Sequence, residues 1–224
     1  MRNNCFLLIP FIFLCSMIPG KQINKAELFA KHPLNSKTAL LEYLGSLTGS
    51  GVNFKIGAQI QMDSSIGFRY DVTFQTGIKV LSHIAIFYKF SSPYQTIYYN
   101  YLNHKSQVIK GGGSAKDPDM AVVGIEKIDS FTCTHLYKGN DNEKQHYWMS
   151  TAVPGFFQLL NKMYSIDPGL ELMAINQTIF NWGGLVRLNT TSNTNGKITS
   201  FTLNLVEAQT GLIFPPSDFN VPTK

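Results

Sequence analysis

The sequence predicts an α+β fold: a curved antiparallel sheet of about eight to ten strands, with helices packed on its concave face. Three observations carry this expectation. Apolar and polar residues alternate over long runs in the middle of the chain, turn-forming residues separate those runs, and other stretches repeat their apolar residues at helical spacing.

Composition sets the frame for these elements. The 224 residues are 44% hydrophobic, 12% aromatic and only 15% charged, which suits a folded chain with much apolar surface to bury. The net charge is +5, and the basic residues are scattered rather than gathered in a stripe, so no nucleic-acid partner is expected.

Arg2 followed by an apolar run from Cys5 to Ile18 and then Pro19-Gly20 reads as a secretory signal peptide over residues 1–20. The run, about 14 residues, is shorter than the ~20 that span a bilayer as a helix. Lipidation at Cys15 is disfavoured by bulky Leu14 in front of it. Removal of residues 1–20 leaves Cys133 as the one cysteine of a single exported domain, residues 21–224, which excludes an internal disulfide.

The segment Asn24–Leu47 is expected to be helical, broken at Pro33 and restarted at Asn35 or Ser36, with Leu40, Leu41 and Leu44 on one stripe. From Val52 to Met62 the period becomes two, and after Asp63-Ser64-Ser65 it continues from Ile66 to Phe74, which predicts a hairpin. Ile78–Phe90, Tyr94–Leu102 and Ser106–Lys110 extend the meander. The following loop Gly111–Asp119 is rich in glycine but does not match the phosphate-binding G-x-x-x-x-G-K-[ST] pattern.

A central hairpin joins Phe131–Tyr137 to Gln145–Met149 through Gly139, Asn140, Asp141 and Asn142. Apolar helices are expected over Phe156–Met163 and Leu170–Phe180, the second opened by Asp167 as N-cap and Pro168. Leu185–Ser192 and Ile198–Val206 form a last hairpin around Asn195-Gly196, a dipeptide that tolerates the positive φ of a type I′ turn. The tail from Phe214 should be extended.

Three segments resemble the uncharacterised bacterial envelope family 4412 of domains of unknown function. They are Gly124-Ile125-Glu126-Lys127-Ile128-Asp129-Ser130-Phe131-Thr132-Cys133, then Tyr147-Trp148-Met149-Ser150, then Phe214 to Pro222. They follow that family's G-x-E-K-I-x-G-[FY]-x-C run, its Trp-bearing strand and its terminal F-x-[IV]-P, with Ser130 in place of the usual Gly. The resemblance implies a relative of the lipoprotein-carrier (LolA-type) half-barrel, with helices on the concave side of a strongly curved sheet.

Candidate chemistry is sparse. Cys133 and His135 share a strand face and His146 lies on the partner strand, a set that could hold zinc, although a fourth ligand at a recognisable spacing is missing. A packed thiol beside a hydrogen-bonded histidine is the preferred reading, with no metal and no cofactor. No G-x-S-x-G or H-E-x-x-H motif is present, and the carboxylates Glu126, Asp129, Asp141 and Glu143 fall in turn-like positions, so no catalytic residues are assigned. Aromatic strand residues are more suggestive. Phe68, Tyr70, Tyr98, Trp148 and Phe201 are the candidate ligand-binding residues for a lipid or lipidated peptide, with peripheral membrane contact as a corollary. The competing reading is a structural or protein-interaction module in which the same rings fill the core.

Overall fold

The computed structural model describes residues 37–49, 51–90, 96–109, 120–154 and 182–223. The expected signal peptide, the Gly111–Asp119 loop and the helices at Phe156–Met163 and Leu170–Phe180 lie outside the described residues.

Eleven antiparallel strands make one sheet: β1 (Thr38–Gly49), β2 (Val52–Asp63), β3 (Gly67–Thr76), β4 (Lys79–Lys89), β5 (Thr96–Asn100), β6 (Lys105–Ile109), β7 (Ala121–Ile128), β8 (Phe131–Gly139), β9 (Glu143–Ser150), β10 (Gly184–Thr194) and β11 (Lys197–Thr210). Their order is β6-β5-β4-β3-β2-β1-β11-β10-β9-β8-β7. Two sequential meanders, β1–β6 and β7–β11, therefore meet at the β1–β11 pair, which joins the two ends of the described chain. The expected α+β class is corrected accordingly. Among the described residues the fold is an open sheet plus a 3-10 turn at Pro216–Phe219, and no helix packs on a concave face.

The clearest departure is the predicted helix over Asn24–Leu47, whose described part is strand β1. Ala39, Leu41, Tyr43 and Leu47 alternate and are buried, whereas Leu44, on the supposed helical stripe, is 58% exposed. Pairing along its whole length with both β2 and β11 overrides the helix-like leucine spacing. Strand β7 is a second departure, since Glu126 is expected in a turn-like position and lies within this strand, whereas Asp129 does fall in a turn. The strand forms a hairpin with β8, turning through Asp129 at a φ of 51°. The tail closes with the 3-10 turn rather than running fully extended, and Phe219 is buried edge-on against Phe214.

Register sorts the side chains onto two faces. One row runs through Val72, Ala58, Tyr43 and Leu205, and the next through Ile56, Gly45, Leu203, Leu188, Tyr147 and Leu136. All of these but Gly45 are buried members of one hydrophobic cluster that crosses the sheet. The opposite face carries Arg69, Asp71, Asn189, Arg187, His146 and His135. Extra residues at Leu81, Val123, Val186 and Val206 make bulges, which increase local twist and re-aim the strand ends.

Candidate functional site

On the apolar face, Tyr70 on β3 lies in one row with Ile86 on β4 and Tyr98 on β5, and Phe68 sits in the next row opposite Tyr88. Phe68 is buried; Tyr70 and Tyr98 are half-buried and pack on the core cluster. Phe201 shares this face but lies on β11, separated from β3 by β2 and β1. It is buried opposite Leu47 and Thr190. Burial drives the Tyr70 hydroxyl well above the ordinary tyrosine range, and does the same to Tyr43, whose hydroxyl donates to the Leu185 carbonyl at 3.0 Å. Within this apolar surface the hydroxyls of Thr96 and Thr190 are buried without a hydrogen-bond partner among the described residues. An unpaired buried hydroxyl costs about 1–3 kcal/mol.

Trp148 belongs to the same buried cluster as the other four but faces the other way. It pairs with Arg187 on β10 and His135 on β8, and the register turns all three to the opposite face. There its ring stacks on His135 (4.4 Å between centroids, 16° between planes), while the Arg187 guanidinium lies 5.9 Å from its centroid. Trp148 Nε1 donates to Glu126 Oε2 at 2.8 Å. Glu126 Oε1 is 2.6 Å from His135 Nδ1, and His135 Nε2 is 2.9 Å from His146 Nδ1.

Protons follow from this connectivity. A Glu126 carboxylate accepts from His135 Nδ1–H, so the Nε2 of a neutral His135 accepts from His146 Nδ1–H, and His146 is left with Nε2 as an acceptor. Both nitrogens of His135 are thereby engaged, and the buried Cys133 thiol donates to Phe131 O at 3.8 Å. Burial pushes that thiol up from its usual range. Among the described residues no group of three His, Cys, Asp or Glu is placed to hold a metal ion. The pairing of Cys133/His135 parity with a nearby His146 is legible in the letters; Glu126 as the third member is not, because it needs β7 to be a strand.

The chain makes stability depend on pH. Burial, then His135 and Lys144, lower the His146 pKa below 6.5, and the Trp148 and His135 hydrogen bonds lower Glu126 below 4.5. For each group the unfolded state binds more protons in the window between its folded and ordinary pKa, so stability falls with pH through that window. Acidification from pH 7 should lower Tm in two stages, the first starting near 6.5 and the second near 4.5. His146→Asn should remove the first stage and Glu126→Gln the second, read as Tm against pH; a wild-type profile flat down to pH 4 would refute the linkage.

No protein-family model matches the chain, so membership of family 4412 is not shown, and no curated protein matches it. Among solved structures the chain is similar to a DUF1329 family protein from Desulfovibrio piger (10% identity, TM-score 0.34, 83% of this chain and 90% of the other). It is also similar to an outer membrane lipoprotein-sorting protein domain from Vibrio parahaemolyticus (11%, 0.38, 87% and 94%). A third likeness is to a LolA superfamily protein from Nitrosomonas europaea (8%, 0.36, 89% and 98%). At TM-scores below 0.5 these likenesses assign neither family nor function to the chain.

Proposed function

We propose that this chain is an exported, non-enzymatic protein of the cell envelope, one domain over residues 21–224 after a signal peptide, which binds a hydrophobic ligand such as a lipid or lipidated peptide. The observation that carries the reading is the apolar face. The half-buried rings of Tyr70 and Tyr98 lie beside the buried rings of Phe68 and Tyr88, so apolar surface remains available above an already closed floor. Thr96, opposite Tyr88 in that same region, holds an unpaired hydroxyl that is sealed from solvent in the ligand-free fold, so a ligand's polar atom meets it only when neighbouring side chains move. Ligand sites commonly combine an apolar lining with a few such polar groups.

Native mass spectrometry of the protein from an exporting host, followed by organic extraction, tests this. A stoichiometric acyl-containing species is expected, reduced at least tenfold by Tyr98→Glu, whose half-exposed site lets the carboxylate remain hydrated in the ligand-free fold. A bare polypeptide mass that also ignores added lipids would replace this reading with the interaction module.

A further inference from the structure

Three neighbouring hairpins end at the same edge of the sheet, and each presents the same small set of side chains. The β1–β2 tip carries Gly51, Val52 and Lys55; the β3–β4 tip carries Gly77, Ile78, Lys79 and Val80; the β10–β11 tip carries Gly196, Lys197 and Ile198. Register sets them level. Gly49 pairs with Val52 on one side and Thr199 on the other, and Lys55 pairs with Gln75, which in turn faces Val80. The six strands involved are consecutive in the sheet, so at ~4.8 Å between strands the tips span about 25 Å.

The aliphatic side chains at these tips point to water. Ile78 is 103% exposed and Ile198 58%, with Val52 and Val80 also exposed. A fully exposed isoleucine buries nothing in the fold, so Ile78 serves no packing role. Glycines at φ of 80°, 56° and 79° (Gly51, Gly77 and Gly196) make the turns tight; Ile78 stands in the turn itself, while Val52, Val80 and Ile198 are first or second residues of the strands that leave the turns. The three lysines are exposed, and residues 51–55, 76–80 and 194–198 contain no Asp or Glu.

Elsewhere the chemistry differs. The neighbouring β8–β9 turn at this edge carries Asp141 and Glu143 and no aliphatic tip, and the β5–β6 turn with Leu102 and Lys105 is recessed because β5 ends opposite Ile84. Turns at the far edge include Asp63 and Asp129.

We propose that this three-hairpin rim docks the protein on an anionic membrane surface, with Ile78, Ile198, Val52 and Val80 entering the headgroup boundary and Lys55, Lys79 and Lys197 meeting lipid phosphates. Aliphatic tips flanked by cations, with no acidic residue among them, match the two forces that hold a peripheral protein on a bilayer. A protein partner would demand a shaped surface; three separate apices offer points of insertion instead. Each lysine near an anionic surface contributes about fivefold in partitioning, so the rim should discriminate strongly against neutral lipid. The inference is independent of the ligand site, since the tips lie apart from Tyr98 and Thr96.

Flotation of residues 21–224, the exported protein without its signal peptide, with vesicles of phosphatidylcholine and phosphatidylglycerol at three to one, against phosphatidylcholine alone, tests it. Binding to the anionic vesicles is expected, weakened by added salt, reduced at least tenfold in Ile78→Glu/Ile198→Glu, and retained both in Tyr98→Glu and in Ile213→Glu, which changes a 96% exposed isoleucine beyond the far end of β11. Equal binding by the rim variant would assign any flotation to another segment and overturn the proposal, as would no binding or equal binding to neutral vesicles. Ile78→Trp supplies a direct readout: brominated acyl chains should quench its added fluorescence in anionic vesicles, and an unquenched signal would also overturn it.

Discussion

Gly45→Val is expected to destabilise the protein by about 3 kcal/mol or more, at the upper end of overpacking costs. Gly45 lies in β1 between Ile56 of β2 and Leu203 of β11. A Cβ placed there would fall 2.0 Å from the Thr202 carbonyl oxygen and 3.1 Å from Leu203 Cα, and both are backbone atoms that no rotamer change can move aside. The clash strikes the β1–β11 pair, which joins the two meanders, so the strands cannot separate locally without uncoupling the halves of the sheet. Gly57 is the internal control. It sits on the adjacent strand opposite Leu44, and a Cβ there meets nothing within 4 Å. Gly57→Ala should be neutral or stabilising by roughly 0.5–1 kcal/mol through the unfolded chain. Urea unfolding of the two variants separates the cases; equal midpoints would refute the steric account of the seam.

The same seam shows what the letters reveal and what they hide. Strands β2, β3 and β4 were legible because Val52–Met62, Ile66–Phe74 and Ile78–Phe90 alternate and are divided by turn residues. Asn195-Gly196 also behaves as expected, with φ of 54° and 79°. Strand β1 was obscured because Leu40 and Leu44 occupy its second face and imitate a helical stripe. Its identity comes from having a partner on both sides, one of them β11 at the other end of the sequence. Strand β7 was obscured by the extra residue Val123, which interrupts the period of two just before Glu126. That loss hid the carboxylate that organises His135, His146 and Trp148. In the sequence Trp148 groups with the other rings because its letter has no face, whereas the bulge at Val186 and the pairing with Arg187 give it one. The rim was hidden for the same reason as β1: its three tips become neighbours only once β1 and β11 pair.

Arg69→Met is expected to cost about 2–3 kcal/mol, less than the ~3–5 of a fully buried ion pair because the two side chains retain 24% and 11% exposure. Arg69 binds Asp71 through two bonds, Nε to Oδ2 at 2.6 Å and a second guanidinium nitrogen to Oδ1 at 3.1 Å, and that second nitrogen also donates to the Tyr101 hydroxyl at 2.9 Å. Its remaining nitrogen donates to the Asp218 carbonyl at 3.2 Å, so one side chain ties β3 to the turn after β5 and to the tail. Asp71 itself, 8% exposed, would keep a charge with its strongest partner removed. The double variant Arg69→Met/Asp71→Leu removes both charges and should recover most of the stability of the sheet. It should not recover the tail, because the bond to Asp218 is lost in either case, which leaves, among the described residues, the packing of Phe214 and Phe219, the contact of Val221 and the Lys89–Asn220 bond. Urea unfolding should therefore show near-complete rescue while proteolysis beyond Gly211 stays faster than in the wild type. Rescue of both together would mean that the tail is held by its apolar contacts alone, and rescue of neither would mean that Arg69 acts chiefly by packing on Phe87, whose ring centroid lies 5.3 Å from the guanidinium carbon.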